Sequence, residues 1–465
     1  MYMTFIKPLF LLFLLLTILS LSNGCATLPE VSEMINEAPT AQEPRQIVSS
    51  KGLLSPQKSK AIRERLKSSV NPTDILVRYT TVIESVTESP LTKGNKVTLL
   101  TDGQAAYAAM FEAIRNANNH INLETFIIED DAVGRKFSVL LMQKQAEGVQ
   151  VNLIFDSVGS YSTPAPFFQR MRDRGIKVVE FNPVNPLKAH GHWLLEHPDH
   201  RKILIIDGKV AIAGGINITS DYSIRLSGRR QAKGAPLPVR DTDVQIEGSA
   251  VAEFQKLFLD TWQKQNGPKL SERKYYPDLK EAGNALVRVV GSTPGQSNRI
   301  TFIVYVSAIT FAEHSVHLTN AYLIPDDQIL DAITDAARRG VDVKIILPST
   351  SDSSMALYAA RYNYSELLKA GVKIYERRNA FLHAKTAVID GVLSTVGSTN
   401  LDYWSLLSDD EVNAVILGHD FAVEMEKMFD KDIAESDQIQ WDKWGKRPLW
   451  QKIKEAFAHL FSHWM

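Results

Sequence analysis

The sequence contains almost no cysteine and no excess of charge of either sign. Cys25 is the single cysteine in 465 residues, so an intramolecular disulfide framework and a cysteine-based zinc cluster are both excluded. Lys and Arg number 52 against 53 Asp and Glu, a balance that argues against a protein whose main role is to coat nucleic acid. Hydrophobic residues make up 44% and charged residues 23% of the chain, which excludes wholesale disorder. The composition therefore indicates a globular chain and leaves room for a local basic pocket.

The N-terminal segment is predicted to be an export signal. Lys7 is its one charge, and the apolar run over residues 8–18 has the length of a signal-peptide core and is short for a membrane span. The sequence of residues 21–25, LSNGC, resembles the lipobox of bacterial lipoproteins. We therefore expect a signal peptide over residues 1–24 and a lipid anchor on Cys25. The predicted location is the bacterial cell envelope, with the protein exported and anchored at the periplasmic face or outer membrane; an ordinary secretory signal or an uncleaved anchor is the alternative.

The body of the chain contains an internal repeat. Segments in the first half recur in the same order in the second: residues 124–131 with 320–327, 148–155 with 340–347, 175–180 with 371–376, and 200–207 with 383–390. β-Branched runs in these segments alternate with helix-like stretches at residues 134–147, 164–174, 327–339 and 355–370. This alternation is typical of βα units that build a sheet covered on both faces. We therefore predict an α/β fold of two similar sandwich domains, related by a pseudo-twofold axis, with the active site at their interface.

The repeat also sets the predicted domain boundaries. The first domain is expected over residues 75–275 and the second over residues 285–440. Residues 25–74 are rich in Pro, Ser, Glu and Lys and are predicted to be a tether with one helix near residues 56–68. Residues 441–465 form a tryptophan-rich segment with apolar residues at three- and four-residue spacing, which predicts an amphipathic helix. That helix either docks on the protein's own core or rests in a lipid interface, where Trp is favoured.

One pattern of residue types occurs in both halves at equal spacing. A Lys follows a His by two residues, an Asp follows the Lys by five, and a Gly-x-x-Asn group begins seven residues after the Asp. The first copy comprises His200, Lys202, Asp207, Gly214, Gly215 and Asn217, and the second comprises His383, Lys385, Asp390, Gly397, Ser398 and Asn400. Such a match at equivalent positions of a repeat indicates a functional site.

The residue types in this pattern suit chemistry on phosphate. Alternate residues of a strand share a face, so each His and its Lys should point the same way. Imidazole is a nucleophile and an acid–base group near neutral pH, and a neighbouring ammonium group favours an anionic substrate. A glycine turn lets backbone N–H groups approach phosphate oxygens. Two facing copies would place an imidazole on each side of a phosphorus atom, as in-line displacement requires.

The doubled motif resembles that of the phospholipase D superfamily, and the resemblance extends from about residue 73 to the C-terminus. Residues 155–160, 240–248 and 397–402 are most similar to the bacterial cardiolipin synthase branch. The resemblance implies a phosphohistidine mechanism that cleaves the distal phosphodiester bond of glycerophospholipids and passes the phosphatidyl group to water or to an alcohol such as phosphatidylglycerol. It implies no metal and no required cofactor, with calcium stimulating only through the lipid surface. The expected partner is a phospholipid membrane as substrate, without nucleic acid, and the expected state is a monomer.

The resemblance also implies roles for individual residues. His200 is expected to be the nucleophile and His383 the acid–base group, with the reverse assignment open. The predicted catalytic residues are His200, Lys202, Asp207, His383, Lys385 and Asp390. Besides the two lysines, the residues predicted to bind the substrate phosphate are Asn217, Asn400, Gly215 and Ser398. Asp243 and Glu411 are predicted to orient the histidines. The chain departs from the branch at Asp409, where cardiolipin synthases often have Asn.

Several alternatives remain open at the level of sequence. Asp207 and Asp390 precede glycines and fit a strand-end turn better than a catalytic role. His190, His192 and His197 cluster near His200 and suggest a metal site, although their spacing matches no standard ligand set. The motif also occurs in nucleases, so a nucleic-acid phosphodiesterase is the alternative function. A catalytically dead lipid-binding scaffold is disfavoured by two intact motifs.

Overall fold

The computed structural model describes residues 28–37, 45–67, 75–185, 197–224, 237–294 and 299–464. The predicted signal peptide and Cys25 lie outside these residues. Among the helices described, none combines the length and apolar character needed to cross a membrane.

The described strands are numbered in chain order. They are β1 Val48–Ser49, β2 Gly52–Leu53, β3 Thr92–Leu100, β4 His120–Thr125, β5 Gln150–Asp156, β6 Lys177–Phe181, β7 Ile203–Ile206, β8 Val210–Gly214, β9 Val239–Arg240, β10 Asp243–Glu247, β11 Ala285–Ser292, β12 Ser315–Thr319, β13 Leu323–Ile324, β14 Asp342–Pro348, β15 Lys373–Arg377, β16 Phe381–Leu382, β17 Thr386–Ile389, β18 Leu393–Gly397, β19 Leu401–Asp402, β20 Glu411–Leu417 and β21 Ser436–Gln438.

The described helices are numbered in the same way. They are α1 Val31–Glu37, α2 Pro56–Lys67, α3 Ile75–Val86, α4 Gly103–Arg115, α5 Ala132–Ala146, α6 Ala165–Asp173, α7 Val251–Lys264, α8 Ile300–Thr310, α9 Asp327–Arg338, α10 Ser354–Tyr362, α11 Tyr364–Ala370, α12 Tyr403–Leu407, α13 His419–Ala434, α14 Trp441–Trp444 and α15 Leu449–His459. The stretch predicted as one helix over residues 355–370 is interrupted at Asn363, in a Tyr-Asn-Tyr sequence of low helix propensity.

The two halves build the same sheet. The strand order is β6-β5-β4-β7-β8-β10-β3 in the first half and β15-β14-β12-β17-β18-β20-β11 in the second. In each half the first three strands are parallel and the rest are antiparallel. The equivalent edge strands β3 and β11 pair antiparallel, which relates the halves by an approximate twofold axis. The predicted α/β fold of two similar domains is confirmed.

The layers of the core place the two motifs near one another. A central cluster of buried side chains, including Ile205, Phe254, Val388 and Met425, lies between the inner faces of the two sheets and includes α7 and α13. A second cluster joins the outer face of the first sheet to α4, α5 and α6, and a third joins the outer face of the second sheet to α8, α9 and α11. Strands β4, β5 and β20 are buried along their whole length because both of their faces are covered.

Candidate active site

His200 is held by the second half of the chain. It lies in the segment before β7, where its backbone N–H donates to the carbonyl of Asp410 at 3.0 Å. Its Nδ1 lies 2.9 Å from Oε1 of Glu411, the first residue of β20. The Phe126 ring meets the His200 ring edge-on, with centroids 4.9 Å apart. The nucleophile predicted in one half therefore has its carboxylate partner in the other.

His383 is held in the same manner by the first half. It follows β16, which pairs parallel with β9, and its backbone N–H donates to the carbonyl of Arg240 at 2.8 Å. Its Nδ1 lies 2.7 Å from Oδ2 of Asp241 and 3.2 Å from the Tyr222 hydroxyl oxygen. The two halves thus exchange carboxylates, and neither half contains a complete site.

The carboxylate at His383 is Asp241, and the prediction of Asp243 for this role is wrong. An Asp243 carboxylate oxygen instead accepts the N–H of Ile216 at 3.1 Å. In the sheet register Gly214 faces Asp243 and Gly397 faces Asn413, so Asp243 is equivalent to Asn413 and Asp241 to Glu411. In both halves the carboxylate that contacts the histidine lies two residues before the residue that faces the motif glycine, and this register separates the two aspartates.

The two motif lysines each lie beside the histidine of the same motif. Lys202 Nζ donates to the carbonyl of His200 at 2.6 Å, and Lys385 Nζ donates to that of His383. Burial lowers the pKa of Lys202 to about 7 and that of Lys385 to about 8, although the carboxylates of Glu411 and Asp241 act in the opposite direction. The charge of Lys385 also lowers the pKa of Lys202, because the two half-sites face each other. An anion bound between them would raise the pKa of both lysines and so favour their charged forms.

Burial and charge keep His200 neutral. Burial, followed by the positive charge of Lys202, lowers the pKa of His200 to about 4. Burial alone would raise the pKa of Glu411, but the His200 imidazole and the Lys202 charge lower it. An ionised Glu411 accepts a hydrogen bond from Nδ1–H and so fixes the tautomer whose Nε2 carries no proton. His383 also has a lowered pKa, caused by burial and then by Lys385, while Asp241 opposes the shift.

The two motif asparagines have different surroundings. Asn217 is fixed: its Oδ1 accepts the Ile127 N–H at 3.2 Å and its Nδ2 donates to the Tyr222 hydroxyl at 3.2 Å. The backbone N–H of Asn400 donates to Ser405 Oγ at 2.9 Å, and its side-chain Oδ1 is buried without a hydrogen-bond partner among the described residues.

Gly215 and Ser398 both lie against the carboxylates that contact the histidines, and their role as phosphate ligands stays a prediction. Their backbone N–H groups already donate to the carbonyls of Thr242 and Val412, at 3.2 and 3.0 Å. The Ser398 hydroxyl donates to Glu411. A Cβ on Gly215 would lie 2.2 Å from a carboxylate oxygen of Asp241, so glycine is needed there for Asp241 to reach His383.

Asp207 and Asp390 lie in turns, which corrects their inclusion among the catalytic residues. Both residues adopt the left-handed conformation, with φ values of 54° and 52°. The Asp207 carboxylate accepts the backbone N–H groups of Asn118, Asn119 and His120, and Asp390 accepts those of residues 313–315. Each aspartate therefore ties the turn after its motif strand to the start of a neighbouring strand.

The predicted histidine cluster is only partly within the described residues. His190 and His192 lie outside them, and the Nδ1 of His197 lies 3.0 Å from the carbonyl oxygen of Ser408. The structure instead brings together potential metal-ligand atoms of three other residues, within 4.8 Å of one another: His200, Asp409 and Glu411.

Asp409 is a member of this group. Burial, and then the charge of Glu411, raise its pKa well above the usual range for a carboxyl. A protonated aspartic acid can donate a hydrogen bond as Asn does, which reduces the chemical departure from cardiolipin synthases at this position.

Curated relatives cover most of the chain. It is 33% identical over 378 residues to a cardiolipin synthase of Geobacillus sp. (strain WCH70), a match that spans 81% of this chain and 73% of the relative. It is 35% identical over 376 residues to a cardiolipin synthase of Listeria monocytogenes serotype 4a, spanning 80% and 76%.

The comparisons contradict the predicted location. These relatives carry the name cardiolipin synthase, with no indication of an exported protein or a lipoprotein. The prediction of an exported, lipid-anchored envelope protein is therefore wrong, and the proposed lipid on Cys25 is withdrawn with it.

The fold and a family profile agree with the relatives. The crystal structure of a phosphatidylserine synthase from Haemophilus influenzae superposes with a TM-score of 0.61 at 13% identity, covering 82% of this chain and 98% of the other, which shows a shared fold. The profile described as "Cardiolipin synthase, PLD-like domain" matches residues 110–226 and 305–433, which contain both motifs. The chain belongs to the cardiolipin synthase family of proteins with phospholipase D-like domains.

Proposed function

We propose that this protein is a phosphatidyltransferase that moves a phosphatidyl group from one glycerophospholipid to the hydroxyl of another through a phosphohistidine on His200. The observation that carries the proposal is the exchange of carboxylates. Glu411 and Asp241 each fix the Nδ1 side of a histidine from the opposite half, so both Nε2 atoms remain for chemistry. The names of the relatives support transfer to a lipid alcohol, as in cardiolipin synthesis.

In the first step, His200 Nε2 attacks the phosphorus atom and a P–N bond forms. The P–O bond to the departing alcohol breaks, and His383, in the protonated form that the Asp241 carboxylate favours against burial and Lys385, gives its Nε2 proton to the leaving oxygen. His200 suits the nucleophilic role because its lowered pKa, about 4, leaves it neutral at pH 7. The ammonium groups of Lys202 and Lys385 stabilise the charge that develops on the phosphoryl oxygens.

In the second step, His383 removes the proton from the acceptor hydroxyl. The acceptor oxygen attacks phosphorus, the P–N bond to His200 breaks, and the new phosphodiester leaves with both histidines in their starting states. Water in place of the alcohol would yield phosphatidic acid by the same steps. The unpartnered Oδ1 of buried Asn400 is suited to accept a hydrogen bond from the incoming or departing hydroxyl.

The proposal is tested by product analysis. Purified protein is incubated with phosphatidylglycerol, with phosphatidylethanolamine and with both, and the lipids are separated by mass. Cardiolipin is the expected product, and it should vanish in the His200→Ala and His383→Ala variants. Phosphatidic acid as the sole product would show hydrolysis instead, and cleavage of DNA without any lipid turnover would overturn the proposal in favour of a nuclease.

A further inference from the structure

The C-terminal segment presents an apolar face to solvent. This apolar face consists of Leu449, Trp450, Ile453, Phe457, Leu460, Phe461 and Trp464. These side chains are between 41% and 73% exposed although they follow the spacing of an amphipathic helix. The expectation that such a face docks on the protein's own core does not hold here.

The opposite side of α15 is the one that docks. Glu455 is fully buried and forms an ion pair with Arg447 at 2.6 Å, and Ala458 joins the buried cluster on α10. The His459 ring stacks on Tyr362 with centroids 4.0 Å apart. Because the polar side is fixed in this way, the apolar face points away from the protein as a consequence of packing.

Charge around the apolar face is positive. Lys452 and Lys454 lie on α15, and Lys446 precedes it. Lys454 Nζ lies 4.8 Å from the centre of the Trp450 ring, while Glu455, the acidic residue of the helix, is buried against Arg447. Lysines beside exposed Trp and Phe suit an interface between apolar chains and anionic head groups, where lysine stems lie along the apolar layer. In a twofold contact between two copies the same lysines would face each other, which disfavours a dimer at this surface.

The C-terminal segment that carries the apolar face packs against α12, which follows the second motif. The 3-10 turn Ser462–Trp464 stacks His463 on Tyr403 at 4.2 Å, and Tyr403 begins α12 shortly after Asn400 of the second motif. Trp404 on the same helix is 44% exposed, so this helix also presents an aromatic side chain to solvent. Leu401, next to Asn400, donates its N–H to the carbonyl of Tyr322. The Tyr322 side chain packs against the buried cluster that includes Ala458 of α15.

We propose that the apolar face docks on an anionic phospholipid surface and holds the mouth of the active site against it. The purpose of this docking rests on the proposed function, but the docking itself does not require turnover. Lipid binding and catalysis can therefore fail separately, and His200→Ala protein should bind vesicles as the unchanged chain does.

A fluorescent probe on the face tests the proposal directly. In the full chain carrying Cys25→Ser, an environment-sensitive dye is attached at Ile453→Cys and, in a matched control, at Val139→Cys, which is also exposed but lies on α5. Vesicles containing phosphatidylglycerol should shift the emission to the blue and allow quenching by brominated acyl chains at position 453 and not at 139. No shift at 453, equal shifts at both positions, or a concentration-dependent shift without lipid, which would reveal self-association, would each overturn it.

The role of charge is tested by paired lysine variants. Lys452→Gln with Lys454→Gln should raise the amount of anionic lipid needed for half-maximal shift at position 453 by about 30-fold, since each lysine near an anionic surface contributes about 1 kcal/mol and about 1.4 kcal/mol corresponds to a tenfold change. Lys58→Gln with Lys60→Gln removes the same charge from exposed positions of α2 and should leave the midpoint unchanged. Equal effects of the two pairs would contradict docking by this face. Circular dichroism confirms that the variants fold.

Discussion

Replacing Asp241 by Asn should lower kcat, because Asp241 positions His383. The Asp241 carboxylate lies 2.7 Å from His383 Nδ1 and is fully buried, so no solvent can take its place. A hydrogen bond to a charged group contributes about 1.5–3 kcal/mol. Since about 1.4 kcal/mol corresponds to a tenfold change in rate, kcat for cardiolipin formation should fall roughly 10- to 150-fold. KM should change far less, because Asp241 does not itself bind the substrate.

The pH dependence distinguishes a positioning role from a general loss of structure. Asp241 raises the pKa of His383 against the opposing effects of burial and Lys385. Its removal should therefore move the limb of the kcat profile that reports the His383 acid to lower pH. Asp243→Asn is the matched control, because that carboxylate accepts the Ile216 N–H and does not contact His383. A fall in kcat with a shifted profile in Asp243→Asn, and normal behaviour in Asp241→Asn, would refute the assignment.

Other outcomes follow from the same geometry. Activity should persist in excess EDTA, since two imidazoles and two ammonium groups supply nucleophile, acid and charge; loss of activity that zinc alone restores would instead identify a metal site. With pKa values lowered to about 7 and about 8, Lys202 and Lys385 lose their charges as the pH rises through this range, so kcat/KM should decline there while neutral His200 is unaffected. Asp207→Ala should lower the free energy of unfolding by about 2–4 kcal/mol, measured in urea, because three backbone N–H groups lose their acceptor; a variant of normal stability and no activity would contradict its role in the turn.

The fold was predictable because the repeat is visible in the sequence. Alternating strand and helix patterns in two copies imply two similar sheets, and equal strand orders in the two halves confirm this. The motif histidines and lysines were also predictable, since their spacing is a local property of the sequence, although they lie just outside the strands and not within them. Their convergence follows once the two copies are placed about a twofold axis.

Features that depend on contacts between distant segments were not predictable. The exchange of Glu411 and Asp241 between halves requires β9 to pair with β16 and Asp199 to pair with Asp410. Asp241 and Asp243 lie two residues apart in one segment. Only the register of β10 against β8 shows which of the two carboxylates reaches His383. Similarly, the amphipathic pattern of α15 identified two faces without revealing that the buried Glu455–Arg447 pair would dock the polar one.

The identity of the covalent intermediate tests the mechanism most directly. The His383→Ala variant is mixed with a phosphodiester whose leaving group needs no protonation, quenched in base and digested for mass spectrometry. Because acceptor deprotonation is lost in this variant, an acid-labile, base-stable phosphoryl adduct should accumulate on the peptide that contains His200. An adduct on His383 in His200→Ala protein, or no adduct in either variant while the unchanged chain turns over, would contradict the assignment of His200 as the nucleophile.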